Sequence, residues 1–233
     1  MKVLSDLLDD FLSLLFPRIC YGCGNHLLRN ENIICVECRI LIPQTGYHNI
    51  PGNPVEQLFW GRCIVERASS FSFYNRGSRI RKLIHALKYK GMREIGTELG
   101  SIYGSTLKSS GFLEGIDLII PVPLHASKER SRGFNQSLLI SEGIASATGI
   151  ELLSDSLVRP VKTQTQTKRS RYERWANVED IFKVAAPENI RAKHVLLVDD
   201  VITTGSTVEA CVNELLKTEG VKVSVVSLAY AVM

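Results

Sequence analysis

A chain of 233 residues, 45% of them hydrophobic, is long enough for one α/β domain with a small appendage, and this composition excludes a disordered or fibrous protein. The formal net charge of +4 is mild, which suits anionic ligands and does not demand nucleic acid. Basic residues are nevertheless concentrated in two runs: residues 76–93 hold seven and no acidic residue, and residues 159–174 hold six against one acidic residue. Solvated helix faces and a surface loop are the alternative interpretation of these runs.

The N-terminal segment predicts an amphipathic helix that ends before Pro17. Its apolar residues recur at helical spacing and are Leu4, Leu7, Leu8, Phe11, Leu12 and Leu15. Three aspartates, Asp6, Asp9 and Asp10, interrupt what would otherwise resemble the apolar core of an export signal. No uncharged run approaches the roughly 20 residues of a membrane helix, so we expect a cytoplasmic protein without a transmembrane segment. We expect the apolar stripe to pack on its own protein, with a partner helix or a membrane surface as the alternative.

Four of the six cysteines form two Cys-x2-Cys pairs, Cys20 with Cys23 and Cys35 with Cys38. Each pair can point two thiolates at one ion, and two pairs complete the tetrahedral shell that structural zinc prefers. Disulfide bonds are the alternative, but they rarely persist in a reducing compartment. The sequence therefore predicts a small zinc module whose closed shell has a structural or docking role.

Turn-forming residues from Pro43 to Pro54 indicate a connector, so we expect two parts: residues 1–60, with the N-terminal helix, the zinc module and the connector, and residues 61–233. In the second part, apolar runs alternate with helical patterns. The predicted strands are 69–74, 118–122, 194–198 and 222–230, and the predicted helices are 80–108 with a break at 89–91, 135–148 with Gly149 as its C-cap, and 206–217. This alternation predicts an α/β fold with a mostly parallel sheet and helices on both faces.

An acid pair followed by a hydroxyl-rich turn is the strongest candidate site. Asp199 and Asp200 follow an apolar strand, and the next turn leads directly into a helical pattern. Ligands of open α/β sheets bind at the carboxyl ends of strands, and a helix N-terminus offers unpaired amide groups with a partial positive charge. The residues expected to surround a phosphate are Thr203, Thr204, Gly205, Ser206 and Thr207. Because the two carboxylates would repel a phosphate, we expect them to bind ribose hydroxyls or to hold the waters of a magnesium ion.

Three alternative assignments fit this segment less well. A nucleotide P-loop requires Gly-x4-Gly-Lys-Ser/Thr, and the turn lacks both the lysine and the spacing. A receiver domain can also carry a strand that ends in two aspartates, but most of its fold would follow that strand, and only 33 residues follow Asp200. A purely structural strand and a helix capped by Thr203 would not account for the whole array of acids and hydroxyls.

The segment from Val195 to Thr207 resembles the phosphoribosyl diphosphate binding motif of type I phosphoribosyltransferases. The segments 121–136 and 87–91, and the Phe-Pro-x2-Cys opening of the cysteine module, are similar to those of the ComF family, also called GntX-like proteins. The basic loop fits the same family through Arg159, Lys162, Thr163, Gln166, Arg174 and Asn177. The departures are Lys162 and Lys128 in place of frequent arginines and Arg169 in place of a common leucine.

This resemblance implies a type I phosphoribosyltransferase fold joined to a zinc module, with magnesium-dependent binding of phosphoribosyl diphosphate at the acid pair and the turn that follows it. Contacts to the diphosphate are expected from the turn after Pro121, from residues near the break at 89–91, and from a basic hood that closes over the ligand. The candidates are Lys88, Lys90, His125, Lys128, Arg130, Arg132, Lys168, Arg171 and Arg174. Arg132 is the first choice, and His125 has two open interpretations, proton transfer and capping of the turn.

Two classes of function use the same pocket. The first is a transferase acting on a nitrogenous acceptor, in a family associated in many bacteria with competence and the machinery of DNA uptake. The second is a non-catalytic module that binds a nucleotide-like ligand or single-stranded DNA, with Tyr89, Tyr172 and Trp175 as stacking platforms or as packing residues. A docking adaptor that uses residues 1–50 is a third, weaker alternative. No residue of the sequence identifies the catalytic group or the acceptor.

Overall fold

A five-stranded parallel sheet with helices on both faces organises the described part of the chain, which in the computed structural model comprises residues 17–160 and 181–231. This architecture confirms the predicted fold class. The helices are α1 (Val36–Leu41), α2 (Pro54–Gln57), α3 (Arg79–Tyr89), α4 (Glu94–Ser109), α5 (Ala126–Arg132), α6 (Gln136–Thr148) and α7 (Ser206–Leu215). The strands are β1 (Ala68–Phe73), β2 (Leu118–Pro121), β3 (Glu151–Leu152), β4 (Leu157–Val158), β5 (Lys183–Val184), β6 (His194–Ile202) and β7 (Lys222–Tyr230).

The strand order β1-β7-β6-β2-β3 places β6 in the centre of the sheet, between β2 and β7. Residues 195–198 are fully buried because both faces of this strand are covered, which accounts for the unbroken apolar run in the sequence. The prediction that the strand ends at Val198 is wrong. Pairing with β7 continues through Val201 with Ala229 and Ile202 with Tyr230, so Asp199 and Asp200 lie within the strand.

Two hydrophobic clusters cover the two faces of the sheet. Alternate residues of β6 point to opposite faces, so Leu196 and Val198 pack in the first cluster and Val195 and Leu197 in the second. Helices α3, α4 and α6 contribute to the first cluster, and α7 to the second. Buried cysteine-module residues also belong to the first cluster, so the module and the sheet share one continuous core.

The segment from residue 43 to the start of β1, called the connector from here on, is fixed to the edge of the sheet by the buried side chain of Asn53. The side-chain amide of Asn53 donates to the carbonyl oxygen of Ala68 at 2.8 Å, and its side-chain oxygen caps α2 by accepting from the amide of Val55. Val55 and Phe59 then pack into the second cluster, beside α7. The predicted division at residue 60 stays a prediction, and Phe59 brings the connector close to the end of β6.

The other elements predicted within the described residues agree with the structure to within a few residues, whereas the predicted N-terminal amphipathic helix before Pro17 lies outside the described residues. The helical break at 89–91 is confirmed, because α3 ends at Tyr89 and α4 begins at Glu94. Gly149 is the C-cap of α6 and lies in the left-handed region, with φ of 81°, as the prediction requires. Helix α7 is shorter than predicted, ending at Leu215. Among the described helices, none has the length and apolar character needed to cross a membrane.

Candidate functional site

The acid pair occupies the carboxyl end of the central strand, where side chains from other elements meet it. The Oδ1 atom of Asp199 accepts from the amide of Asp200 at 2.8 Å and from the hydroxyl of Ser137, in the first turn of α6, at 3.2 Å. The Oδ1 atom of Asp200 accepts from the ammonium of Lys88, near the end of α3, at 2.8 Å. The structure thus brings Lys88 together with Asp199 and Asp200, as a common site requires.

The two neighbouring carboxylates are electrostatically unequal. Burial, followed by the negative charge of Asp200, raises the pKa of Asp199 to about 7, although the amide of Asp200 and the ammonium of Lys88 act in the opposite direction. The side chains of Lys88 and Asp200 are only 19% and 14% exposed, so their ion pair is shielded from water. A cation or a hydroxyl donor near Asp199 would favour its ionised form.

The turn after β6 forms a cradle at the N-terminus of α7. Gly205 is the N-cap, in the left-handed region with φ of 76°, and no side chain caps this helix end. Among the described residues, no acceptor receives the amide of Gly205 or the hydroxyls of Thr203 and Thr207. The hydroxyls of Thr204 and Ser206 lie 3.1 Å apart. These free donors at a helix N-terminus suit an anion such as phosphate.

Two connector residues, Phe59 and Arg62, contact the turn that forms this cradle. One guanidinium nitrogen of Arg62, Nη1, donates to the carbonyl oxygen of Thr204 at 2.8 Å, and the other, Nη2, pairs with the carboxylate of Glu209 and lies 3.4 Å from the hydroxyl of Ser206. Phe59 packs against Gly205, where an added Cβ would lie 3.1 Å from the ring. Arg62 and Ser137 were not among the predicted site residues, because each lies far along the chain from its partner in the site.

The segment after β2 contributes a short basic helix, α5. His125 is its N-cap and accepts from the amide of Ser127 at 3.2 Å, which supports the capping interpretation of this histidine. Arg132 ends α5; its guanidinium donates to the side-chain oxygen of Gln136 at 2.6 Å and lies 5.4 Å from the ring centroid of Tyr89. Lys128 and Arg130 are exposed, and their side chains have no hydrogen-bond or ion-pair partner among the described residues.

Lys88 and Lys90 face different parts of the molecule, although they are close in sequence. Lys88 binds the acid pair, whereas the ammonium of Lys90 lies 6.0 Å from the ring centroid of Tyr21 in the cysteine module. The predicted hood residues Lys168, Arg171 and Arg174 lie outside the described residues, as do Tyr172 and Trp175.

A basic groove separates the cysteine module from α3. It has a volume of about 320 Å³, and none of its described lining residues is acidic. The lining residues are Tyr21, Gly77, Ser78, Arg81, Lys82, His85, Ala86 and Lys90. Tyr89, which is 65% exposed, contacts both His85 of the groove, with 4.8 Å between the centroids of the tilted rings, and Arg132.

The four predicted zinc ligands, Cys20, Cys23, Cys35 and Cys38, form a cluster whose sulfur atoms all lie within 4.8 Å of one another. Backbone amides donate to these sulfurs, including Cys35 to Cys20 and Cys38 to Cys35, each at 3.3 Å. Burial and the neighbouring thiols raise the pKa of Cys38, so these sulfurs cannot all ionise without a cation among them. This geometry and donor set fit a tetrahedral metal ion.

Comparisons with known proteins agree with the predicted fold. Residues 144–232 match the family model described as "Phosphoribosyl transferase domain". The chain is 31% identical to the "DNA utilization protein YhgH" of Salmonella typhi over 225 residues, covering 90% of this chain and 95% of that protein. It is 29% identical to "Competence protein F" of Haemophilus influenzae over 212 residues, covering 87% and 92%. A crystal structure of adenine phosphoribosyltransferase is similar with a TM-score of 0.39 and 16% identity, over 63% of this chain and 74% of that chain.

Proposed function

Since the chain belongs to the ComF family of phosphoribosyltransferase-domain proteins, we propose that it binds phosphoribosyl diphosphate together with magnesium at the carboxyl end of β6. The observation that carries this proposal is the juxtaposition of a half-buried acid pair with an open phosphate cradle. Asp199 and Asp200 suit ribose hydroxyls and a hydrated magnesium ion, and residues 203–207 suit the 5-phosphate.

We assign the diphosphate end of the ligand to basic residues near the acid pair. Lys88 contacts Asp200, and the guanidinium of Arg132, at the end of α5, lies 5.4 Å from the ring centroid of Tyr89, the residue after Lys88. Lys128, Arg130 and Lys90 are further candidates, and Lys168, Arg171 and Arg174 would come from the hood. When bound, magnesium would neutralise charge on the diphosphate oxygens.

The reaction class that fits this site is glycosyl transfer. The bond from ribose C1 to the diphosphate breaks, the diphosphate leaves with the electron pair, and a nitrogen of the acceptor forms the new bond. Lys88 and Arg132 would stabilise the departing anion, and His125 stays a candidate for proton transfer in addition to its capping role. The acceptor is expected to be a nitrogenous base.

Titration calorimetry with phosphoribosyl diphosphate and magnesium tests the binding proposal. The wild type should bind, and the double variant Asp199→Asn/Asp200→Asn should bind at least about tenfold more weakly, because it loses both anionic oxygens that hold the sugar and magnesium. Asp155→Asn, at an exposed position outside the site, is the matched control and should bind as the wild type does. A folded wild type that does not bind would overturn the proposal.

We also infer that the cysteine cluster holds one structural zinc ion. Four thiolates would complete its coordination shell, so this ion would have no open position for a reaction. A reducing cytoplasm, where thiols persist, is the compartment that suits such a site.

Single-stranded DNA binding is a second candidate function, which the basic groove specifically favours. Relatives are named for DNA utilization and competence, and the groove combines cations with aromatic rings. Tyr21, Tyr74 and Tyr89 each have a basic side chain within 6.0 Å of the ring centroid, namely Lys90, Arg81 and Arg132. Aromatic rings can stack on bases while adjacent cations bind phosphates. A docking role for residues 1–50 is a weaker alternative.

Salt-dependent binding of a labelled oligonucleotide tests this second function. For single strands, each phosphate contact contributes about 0.7 to the slope of log affinity against log salt concentration. Arg81→Ala/Lys82→Ala should therefore reduce the slope by about 1.4. Lys193→Ala/Lys222→Ala removes the same charge at the amino ends of the central strands and should leave the slope unchanged. Equal slopes for the two double variants would reject the groove as the binding site.

A further inference from the structure

The connector residue Arg62 contacts the phosphate cradle from outside the family motif. Its Nη1 donates to the carbonyl oxygens of Thr204 at 2.8 Å and Leu58 at 2.9 Å, while its Nη2 pairs with Glu209. A single guanidinium therefore joins three elements: the end of α2, the turn after β6 and the first turn of α7. Its planar fork can make these contacts at once, which a lysine cannot do.

The contact with Thr204 determines which way the next amide points. The carbonyl of Thr204 and the amide of Gly205 belong to the same peptide unit, and in a trans peptide these two groups point in opposite directions. Because Arg62 holds the carbonyl on its own side, the Gly205 amide faces away from Arg62, toward the open side of the turn. The positive φ of Gly205 then allows consecutive amides to converge on one anion.

The contact with Glu209 has an electrostatic consequence. Glu209 lies in the first turn of α7, where an anionic ligand would also sit. An unpaired carboxylate there would repel a phosphate, and its ion pair with Arg62 offsets that negative charge. Arg62 therefore acts on the cradle in two separable ways, by orienting a peptide and by neutralising a carboxylate.

We propose that Arg62 is a positioning residue that holds the turn at residues 203–207 in its phosphate-binding conformation. This inference rests on the proposed binding of phosphoribosyl diphosphate and assigns a part of that site to the connector before β1. Arg62 acts through the peptide between Thr204 and Gly205, so it should affect the phosphate end of the ligand and not the diphosphate end.

Calorimetry with three ligands separates positioning from a general loss of structure. Arg62→Ala should weaken binding of ribose 5-phosphate and of phosphoribosyl diphosphate by about tenfold or more, and should change binding of magnesium pyrophosphate by less than about twofold. Arg62→Lys should restore little, because one ammonium cannot replace the fork. Arg67→Ala is the matched control, because the guanidinium of Arg67 also donates to a backbone carbonyl, that of Glu114 at 2.6 Å, but away from the site.

A double variant distinguishes the two contributions of Arg62. Arg62→Ala/Glu209→Gln should bind ribose 5-phosphate more tightly than Arg62→Ala, because the unpaired carboxylate is gone, but still more weakly than the wild type, because the peptide is no longer held. Recovery to the wild-type affinity would show that only charge matters and would overturn positioning. Wild-type affinity in Arg62→Ala, or an equal loss for pyrophosphate, would also overturn it. A wild type that binds none of the sugar phosphates would overturn the proposed function itself, and this inference with it.

Discussion

At the scale of single residues, the site contains two adjacent carboxylates, of which only Asp200 pairs with a cation among the described residues. Asp199 is held by Ser137 and by the amide of Asp200, and its neighbour Asp200 is neutralised by Lys88. Because Asp199 has no cation as its direct partner among the described residues, burial dominates its behaviour and raises its pKa to about 7. Without a bound cation, ionisation of Asp199 therefore lowers the folding stability.

Asp199→Asn should stabilise the ligand-free protein at alkaline pH. The pKa of Asp199 rises from its ordinary value of 3.8 to about 7 on folding, so the folded chain binds this proton more tightly than the unfolded chain. The stability of the wild type consequently falls as the pH rises from about 4 to about 7, and the variant avoids that loss. In magnesium-free buffer, the variant should melt about 3 °C or more above the wild type at pH 8.5, with the difference shrinking toward zero at about pH 4. An equal rise in melting temperature at both pH values would show that the ionisation of Asp199 is not the cause.

At the scale of elements, the close packing of α4 against α6 fixes the position of Ser137. Glycines on the two helices face backbone atoms of the other helix: a Cβ on Gly100 would lie 2.2 Å from the carbonyl oxygen of Ile140, and one on Gly143 would lie 2.2 Å from that of Thr97. Backbone contacts of this kind cannot relax as side chains do. The position of α6, and with it the contact of Ser137 with Asp199, therefore depends on these glycines.

Gly100→Ala should destabilise the protein, although alanine is the better helix former. Helix propensity favours alanine by about 1 kcal/mol, but forcing an extra methyl group into close packing costs about 1 to 3 kcal/mol, and here the neighbour is backbone. We expect a melting temperature several degrees lower, together with weaker binding of phosphoribosyl diphosphate as Ser137 moves. Ser105→Ala, at an exposed position on α4, is the control for the substitution itself. An unchanged melting temperature in Gly100→Ala would show that the helices can separate without cost.

At the scale of the whole molecule, the cysteine module is part of the main core. Cys38, Ile34 and Ile42 are fully or almost fully buried, in the same cluster as Phe71 and Leu83 of the sheet domain. Arg39 of α1 also pairs with Glu98 of α4 at 2.7 Å. A loss of order in the module should therefore lower the stability of the whole sheet domain.

Cys38→Ser should lower the stability of the entire chain and not that of the module alone. Removing one thiolate opens the metal shell, and the shared core transmits the loss to β1 and α3. We expect metal analysis to give about one zinc ion per wild-type chain and less in the variant, and calorimetric scanning to show a lower melting temperature for the main transition. Cys63→Ser changes a cysteine outside the cluster and should retain the metal. A main transition at the wild-type temperature in Cys38→Ser would mean that the module is energetically independent.

Features that depend on a local pattern could be predicted from the sequence. Alternating apolar runs and helical patterns predicted the parallel sheet, and the spacing of the cysteines predicted their cluster, because both signals lie within short segments. The acid pair and the turn after it were recognisable for the same reason. The predicted end of β6 was wrong by four residues, since pairing with β7 extends the strand and a single strand does not report its partner.

The distant residues that complete the site became evident from the folded chain. Ser137 and Lys88 reach the acid pair from 62 and 112 positions away in the chain, and Arg62 reaches Thr204 from 142 positions away. No local spacing encodes such contacts, because they arise when helices and a connector pack on one sheet edge. Lys88 and Lys90 were predicted to act together, but their side chains contact different parts of the molecule. Because α3 ends at Tyr89, between them, Lys88 contacts the acid pair and Lys90 lies beside Tyr21 of the cysteine module.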